Sequence, residues 1–407
     1  MPAAAHRVRG YAIIRAMALT IDEARRRVLD AVAHPLPPED VPIQQALGRV
    51  LAEDVVAERD VPSFANSAMD GFAVRSGPAG RTLGIVGESR AGAPANVSVG
   101  DGEAVRISTG AALPDGADAV LQVERVTVDG VRVRLDDDVE PGHNVRPAGD
   151  DVRAGATVLT AGTRLGAAEI GVAVACGRAI VACARVPRVI VLATGDELVA
   201  PGAPLAPGQL HETNGLTLAA LATQAGAHVL RTEVVPDTEA GTRKAIAGAL
   251  DDADVLVLSG GVSVGPHDHV KPALEALGVE QVFWRVALRP GRPTWFGTRG
   301  ETLVFGLPGN PVSAMVTFLL FARSAIAALQ GAPHEPERLL ARLGAAIPRH
   351  RDRDECVRVT LHDGVASPTG PQGSHQLRSM LGADGLAIVP AGDGILEAGA
   401  EVEVERL

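Results

Sequence analysis

VPRVIVLATGDEL (186–198) and DVLVLSGGVSVGPHDH (254–269) decide how this 407-residue chain folds. Each opens on a short apolar run and passes at once into glycine and acid. Runs of that kind mark strands buried on both faces, the condition of a parallel sheet. LRTEVV (230–235) and TLVFG (302–306) are two further strands, and GLTLAALATQAG and TRKAIAGALDDA lie between them as helical stretches. The alternation predicts a three-layer α/β domain over about 187–333.

Outward from that domain the pattern changes. Residues 17–55 read as a helix or two split by HPLPPED, with Thr20 or Asp22 available to cap ALTIDEARRRVLDAV. From 56 to 151 short strand-like runs (VRISTG, AVLQVERVTV, VRVRL) are punctuated by Gly and Pro, which predicts an all-β module. Residues 152–186 return to longer apolar segments, and 334–407 read as a small β domain. The first 16 residues are expected to form a disordered tail, with Met1 or Met17 as the start.

Composition narrows the function. Acidic residues number 49 against 38 basic ones, a net charge of −11, which lacks the footprint of a general nucleic-acid binder. Aromatics are only 2%, too few for a base-stacking platform. Cys176, Cys183 and Cys356 cannot all pair and show no CxxC spacing, so a reducing compartment fits and a zinc site does not. The apolar run 312–329 reads as a core helix rather than a membrane span. A cytoplasmic protein is expected.

In an open α/β sheet the ligand sits beyond the carboxyl ends of the strands. The four loops there carry Asp196 and Glu197, then Asp237, then SGGVSVGPHDH, then LPGNP. Gly260, Gly261, Ser263 and Gly265 let backbone N–H groups approach an anion, although a tight turn would need the same glycines. No GK[ST] follows, so this is not a Walker loop. Asp268 is a candidate contact for Mg²⁺ or ligand, a better one than His267 and His269, because alternate loop residues seldom converge on one ion. Asn310 suits an N-cap and Pro311 the first helical position, a geometry that also turns N–H groups toward an anion. In FWRVALRPGRP, Arg285 and Arg289 are read as four apart on one strand face, about 13 Å from each other, with Arg292 after the turn. Such arginines are either a solvated strand edge or a cationic strip for an anionic ligand. Acids beside them suggest a divalent cation bridging carboxylate and phosphate oxygens. Residue chemistry alone stops at a phosphorylated ligand in a strand-end site.

The motifs add more. NSAMDGFAVR (66–75), STGAALP (108–114), GDDVRAG (149–155), TGDEL (194–198), GGVSVGPHD (260–268), LRPGRP (288–293), LPGNPVSA (307–314) and QGSH (372–375) occur in one order. Together they resemble the molybdopterin molybdenumtransferases of the MoeA type, related to the E domain of gephyrin, from about residue 17 to the end. The resemblance implies a multi-domain fold: a split helical domain (17–55 and 152–186), an inserted β domain (56–151), the three-layer α/β domain (187–333) and a C-terminal β barrel (334–407). It implies an enzyme that inserts molybdenum from molybdate into adenylylated molybdopterin, with Mg²⁺ and release of AMP. It also implies a homodimer whose active site lies between subunits. Molybdopterin adenylyltransferase and molybdoenzyme apoproteins or their chaperones would be further partners.

Carried over by position, the catalytic set would be Glu197, Asp70, Asp268, Asp237 and Asp151, with Glu197, Asp237 and Asp268 near the metal. Asp70 and Thr109 would come from the second subunit. Arg285, Arg289 and Arg292 would hold molybdate or phosphate, Pro308, Gly309, Asn310 and Pro311 would shape the adjoining loop, and Ser374 and His375 would come from the barrel. The chain departs from the usual pattern at Ala65, which replaces an Asp, at Phe72, which replaces Tyr, and at the three arginines, which replace lysines. Only Lys244 and Lys271 are lysines, so a general bias accounts for the last change.

Overall fold

The computed structural model describes residues 18–262 and 268–407. The expected tail at 1–16, together with Ser263, Gly265 and His267, lies outside the described residues. The chain forms two compact units: 40–47 with 53–182, and the residues up to 39 with 48–52 and 183–407.

In the first unit a mixed six-stranded sheet runs Ala119–Gln122, Gly71–Val74, Glu103–Ile107, Thr82–Ser89, Arg132–Leu135, Val126–Asp129. Alternation along the strands supplies two cores. Phe72, Val74, Leu121 and Val133 pack on one side, and Ala73, Val105, Ile107 and Val120 on the other. Phe72 is fully buried and carries the Arg106 guanidinium 5.2 Å above its ring. A hydroxyl there would need a partner inside the core.

In the second unit the order is His228–Val235, Arg188–Thr194, Val255–Ser259, Thr302–Leu307, Trp295–Arg299, Glu280–Trp284. The first four strands are parallel and the last two antiparallel. Val189, Val191, Val255 and Val257 face one core, while Ile190, Leu192, Leu256 and Leu258 face the other. Both faces are thus covered, which is why the sequence runs are unbroken. The helix beginning at Pro311 continues to Leu329 through a π-helical turn at Phe318–Ala322. It is long and apolar enough to cross a membrane, but Val312, Ala314, Phe318 and Phe321 are packed in the core of this unit.

At the C-terminus Arg338–Leu343, Asp354–His362, Val365–Pro368, Gly385–Val389 and Glu401–Arg406 close into a five-stranded barrel. Leu288–Arg289 pairs in parallel with Asp354–Glu355 at its edge, so the α/β domain and the barrel share hydrogen bonds beside the strand ends.

The two stretches expected to form a split helical domain hold one α-helix each. Residues 18–55 contain one α-helix, Ile21–Asp30, capped by Thr20, whose hydroxyl accepts from the Glu23 N–H at 3.2 Å. Pro35, Pro37, Pro38 and Pro42 withhold N–H groups and disfavour helix before them, so a short strand and a 3₁₀ turn follow instead. Residues 152–186 likewise hold one α-helix, Ala167–Ala175, between strands. The three thiols are unpaired and buried.

One buried ion pair fixes the first helix. Arg25 donates to both Glu405 oxygens at 2.7 and 2.8 Å and to the Leu320 carbonyl at 3.1 Å, with side chains 4% and 1% exposed. Arg338 also reaches Glu405, at 3.0 Å. Removing one member leaves the other charge buried, so Glu405→Gln should cost about 3–5 kcal/mol. Urea unfolding followed by a barrel-specific probe measures it. A loss below about 1 kcal/mol would mean that water reaches the pair.

Candidate active site

The four parallel strands end at one rim, and each loop there is held in a defined way. Gly195 has φ +153°, and a Cβ on it would lie 2.7 Å from the Glu197 carboxylate, so that side chain folds back over the glycine. Leu198–Val199 pairs with Leu210–His211, and the Glu212 N–H donates to Val199 O at 2.8 Å. Glu212, buried, accepts from the Gly215 N–H at 2.6 Å in the first turn of helix Asn214–Gln224. The Asn214 amide donates to Ser259 Oγ at 2.9 Å and to Gly309 O at 2.7 Å, tying three strand-end loops together. Gly260 and Gly261 both have left-handed φ. A Cβ on Gly260 would meet Thr194 O at 2.8 Å, and one on Gly261 would meet Val270 Cγ2 at 2.5 Å.

These loops surround a cavity of about 690 Å³ lined by Glu197, Glu212, Asn214, Gly261, Asn310 and His375 among others. A second cavity, about 430 Å³, shares Pro293, Pro308, Asn310 and His375 with it and adds Arg289, Arg292, Arg353 and Ser374. One half is therefore acidic and the other cationic, and they share a wall. Asn310 is the N-cap residue and Pro311 the first helical one. The Asn310 amide makes no cap bond; it donates to Ser374 Oγ at 3.0 Å, while the Val312 N–H donates to Ser374 O at 3.1 Å. The barrel loop, rather than an open helix end, meets this terminus.

The arginine reading changes. The strand ends at Trp284, and Arg285 takes φ +78°, so Arg285 and Arg289 do not share a strand face. Arg285 lies over the Trp284 ring at 4.1 Å, as does Lys271 at 4.0 Å. Arg289 instead enters the cationic cavity, 3.7 Å from Glu355 and in contact with His350. Arg292 lies 3.8 Å from Asp352.

Asp268 has a side chain only 8% exposed, and neither oxygen has a hydrogen-bond partner among the described residues. Burial pushes its carboxyl above the usual range. Lys271 at 3.9 Å opposes that shift only partly, and the charge of Asp237 adds to it. Asp237 donates its N–H to Asp196 Oδ1 at 3.1 Å. In the other unit Asp70 Oδ1 accepts from the Thr109 N–H at 2.9 Å, which brings those two predicted residues together. Gly71 beside them is required, since a Cβ would collide with Leu121 O at 2.0 Å. Asp151 is exposed and its N–H donates to Val61 O at 3.0 Å.

Sequence reasoning missed Glu212, Asn214 and Arg353. HETNG (211–215) at the start of a helix was the available signal for the first two, being an acid three residues before a glycine N–H. Nothing local marks Arg353, because its place depends on the barrel docking beside the α/β rim.

The six-stranded α/β sheet thus carries its candidate site at the parallel strand ends, beside a barrel that adds a cationic wall. Three family models match the chain: "MoeA N-terminal region (domain I and II)" over 19–177, "Probable molybdopterin binding domain" over 190–328 and "MoeA C-terminal region (domain IV)" over 340–407. The chain is 37% identical over 398 residues to the molybdopterin molybdenumtransferase of Haemophilus influenzae, covering 95% of this chain and 98% of that one. It is equally identical over 402 residues to molybdopterin molybdenumtransferase 2 of Mycobacterium tuberculosis, covering 94% and 98%. Among solved structures, the molybdopterin biosynthesis MoeA protein of Pyrococcus horikoshii superposes with TM-score 0.82 at 30% identity, covering 96% of this chain and all of that one. The chain belongs to the MoeA family of molybdopterin molybdenumtransferases.

The raised carboxyl of Asp268 has a measurable consequence. The folded state binds its proton more tightly than the unfolded state does. The stability from this group is therefore complete below the ordinary carboxylate pKa of 3.8 and is lost as pH rises through the raised value. Asp268→Asn should raise Tm by a few degrees at pH 7.5 in metal-free buffer, with the gain vanishing toward pH 4. Scanning calorimetry at both pH values checks it; a lower Tm at pH 7.5 would show the carboxylate to be well solvated.

Proposed function

We propose that this chain inserts molybdenum from molybdate into adenylylated molybdopterin and releases AMP, as a transferase of molybdenum cofactor biosynthesis. The observation that carries the reading is the shared wall between the acidic and cationic cavities. A tetrahedral oxyanion fits beside Arg289, Arg292 and Arg353, while the pterin-linked nucleotide fits the larger cavity along Gly261 and Pro308–Asn310. Guanidinium forks suit both molybdate and phosphate oxygens.

Magnesium would be held at Asp268, helped by Asp237. Among the described residues no three His, Cys, Asp or Glu side chains form a ready-made cage. A buried carboxylate with no hydrogen-bond partner among the described residues and one cation, Lys271, at 3.9 Å fits a metal ion that keeps most of its waters. When bound, Mg²⁺ supplies charge neutralisation at the pyrophosphate. Glu197, exposed at the mouth of the cavity, is placed to accept a proton at its carboxylate or to orient a water. Glu212 is already engaged by Gly215 and shapes the wall. The arginines hold the two anions in reach of each other, so positioning and electrostatics carry most of the rate.

The assembly in this reading is a homodimer in the cytoplasm, with Asp70 and Thr109 of a second copy completing the site and Asp151 as a further acid of it. Delivery of adenylylated molybdopterin by its adenylyltransferase and transfer of product to apoenzymes or chaperones would frame the step.

The assay follows AMP release from adenylylated molybdopterin with Mg²⁺ and micromolar molybdate. Release should require molybdate and fall by about 10²-fold or more in Glu197→Ala, as for loss of a general acid–base group. Release indifferent to molybdate would overturn the reading, and tight binding without release would point to a scaffold.

A further inference from the structure

The loop that carries Ser374 and His375 hangs from a buried arginine that neither cavity exposes. Arg358 has no solvent exposure and sits in the barrel strand Asp354–His362. Its N–H donates to Gln372 Oε1 at 2.8 Å, and its carbonyl accepts from the Thr369 N–H at 3.0 Å and from Gln372 Nε2 at 3.3 Å. The guanidinium donates from Nε to Ser379 Oγ at 3.1 Å and from Nη1 to the Cys356 carbonyl at 3.1 Å. Thr369 Oγ1 in turn donates to Ser379 O at 2.6 Å. The segment 369–379 is thereby fixed to one residue at both ends, Thr369 and Gln372 by its backbone and Ser379 by its guanidinium. Within it, Gln376 Oε1 accepts from the Gly373 N–H at 2.6 Å, and Ser374 meets Asn310 and Val312 across the cavity wall.

An arginine is an expensive residue for a barrel interior. Nη2 has no partner among the described residues, and no carboxylate forms an ion pair with the guanidinium among them. Burial pushes its pKa down to about 10, so it stays charged at neutral pH. A methionine would fill similar space without the desolvation cost, so barrel stability does not account for it.

We propose that Arg358 and Gln372 are positioning residues that hold the 372–375 loop so that Ser374 and His375 close the oxyanion cavity. Arg358 lines neither cavity and acts through the loop; Gln372 lies in the wall of the cationic cavity with both polar atoms already engaged, by the Arg358 backbone and the Gly370 carbonyl. The inference rests on the reading that the cationic cavity takes the oxyanion.

The test measures molybdate and tungstate binding by calorimetry, together with KM for each substrate and Tm, in the full-length protein. Gln372→Met keeps the shape and removes the bonds. Arg358→Lys keeps the charge but not the fork. Arg289→Ala tests the cavity itself. Both positioning variants should weaken oxyanion binding and raise the molybdate KM by roughly tenfold, about 1.4 kcal/mol and the size of one or two lost hydrogen bonds. KM for adenylylated molybdopterin and kcat at saturating molybdate should hold, and Gln372→Met should melt within a few degrees of the parent.

If Gln372→Met folds and binds the oxyanion as the parent does, the proposal is wrong. A parallel fall in kcat, both affinities and Tm would show a merely structural role and also overturn it. Full oxyanion affinity in Arg289→Ala would remove the cavity assignment, and the positioning role with it. A loss in Arg289→Ala with none in Gln372→Met would remove the positioning role alone.

Discussion

Two residues of edge pairing, Leu288–Arg289 against Asp354–Glu355, make this site what it is. Parallel strands place loops at their carboxyl ends whatever the sequence, but those loops here carry acids and glycines. The cationic half comes from the other side of that pairing. Arg289 is held on the shared edge, and Arg353 immediately precedes the barrel strand it pairs with. Without the seam the α/β rim would be an acidic cleft on a protein of net charge −11, a poor place for an oxyanion.

Electrostatic division follows from this construction. Glu197 and Glu212 line one cavity, Arg289, Arg292 and Arg353 the other, and a wall of proline and asparagine separates them. Prolines fix that wall by their restricted φ, and Asn310 fixes it by bonding across to Ser374. Asn214 does the same from beneath, with one amide serving two loops. The local order is obtained with few hydrogen bonds because each joins segments remote in sequence.

What the sequence made legible follows from the same distinction. The strands at 188–194, 255–259 and 302–307 were readable because burial on both faces leaves an unbroken apolar run. Thr20 was readable as a cap because the capping box is local. The Arg285–Arg289 spacing misled, since period-two logic assumes a continuous strand and Arg285 turns with positive φ. The reading of one or two helices before residue 55 resolves to one, because prolines withhold N–H groups after Asp30. Arg353, Gln372 and Arg358 carry no local signature, as their meaning arises only when the barrel is closed and docked. Family motifs named many of the lining residues but not the groups that hold them.

The stacking of Lys271 and Arg285 on Trp284 gives the molecule an optical property. The chain has two tryptophans, and Trp295 is buried in the sheet core with its Nε1 bonded to Gln281. Trp284 is partly open, and its Nε1 donates to Val262 O at 3.3 Å, just past the paired left-handed glycines. Two cations over one indole perturb its excited state, and their withdrawal toward an arriving anion would change its emission. The sequence thus contains its own fluorophore beside Gly260 and Gly261, and anion binding near it can be followed without a label.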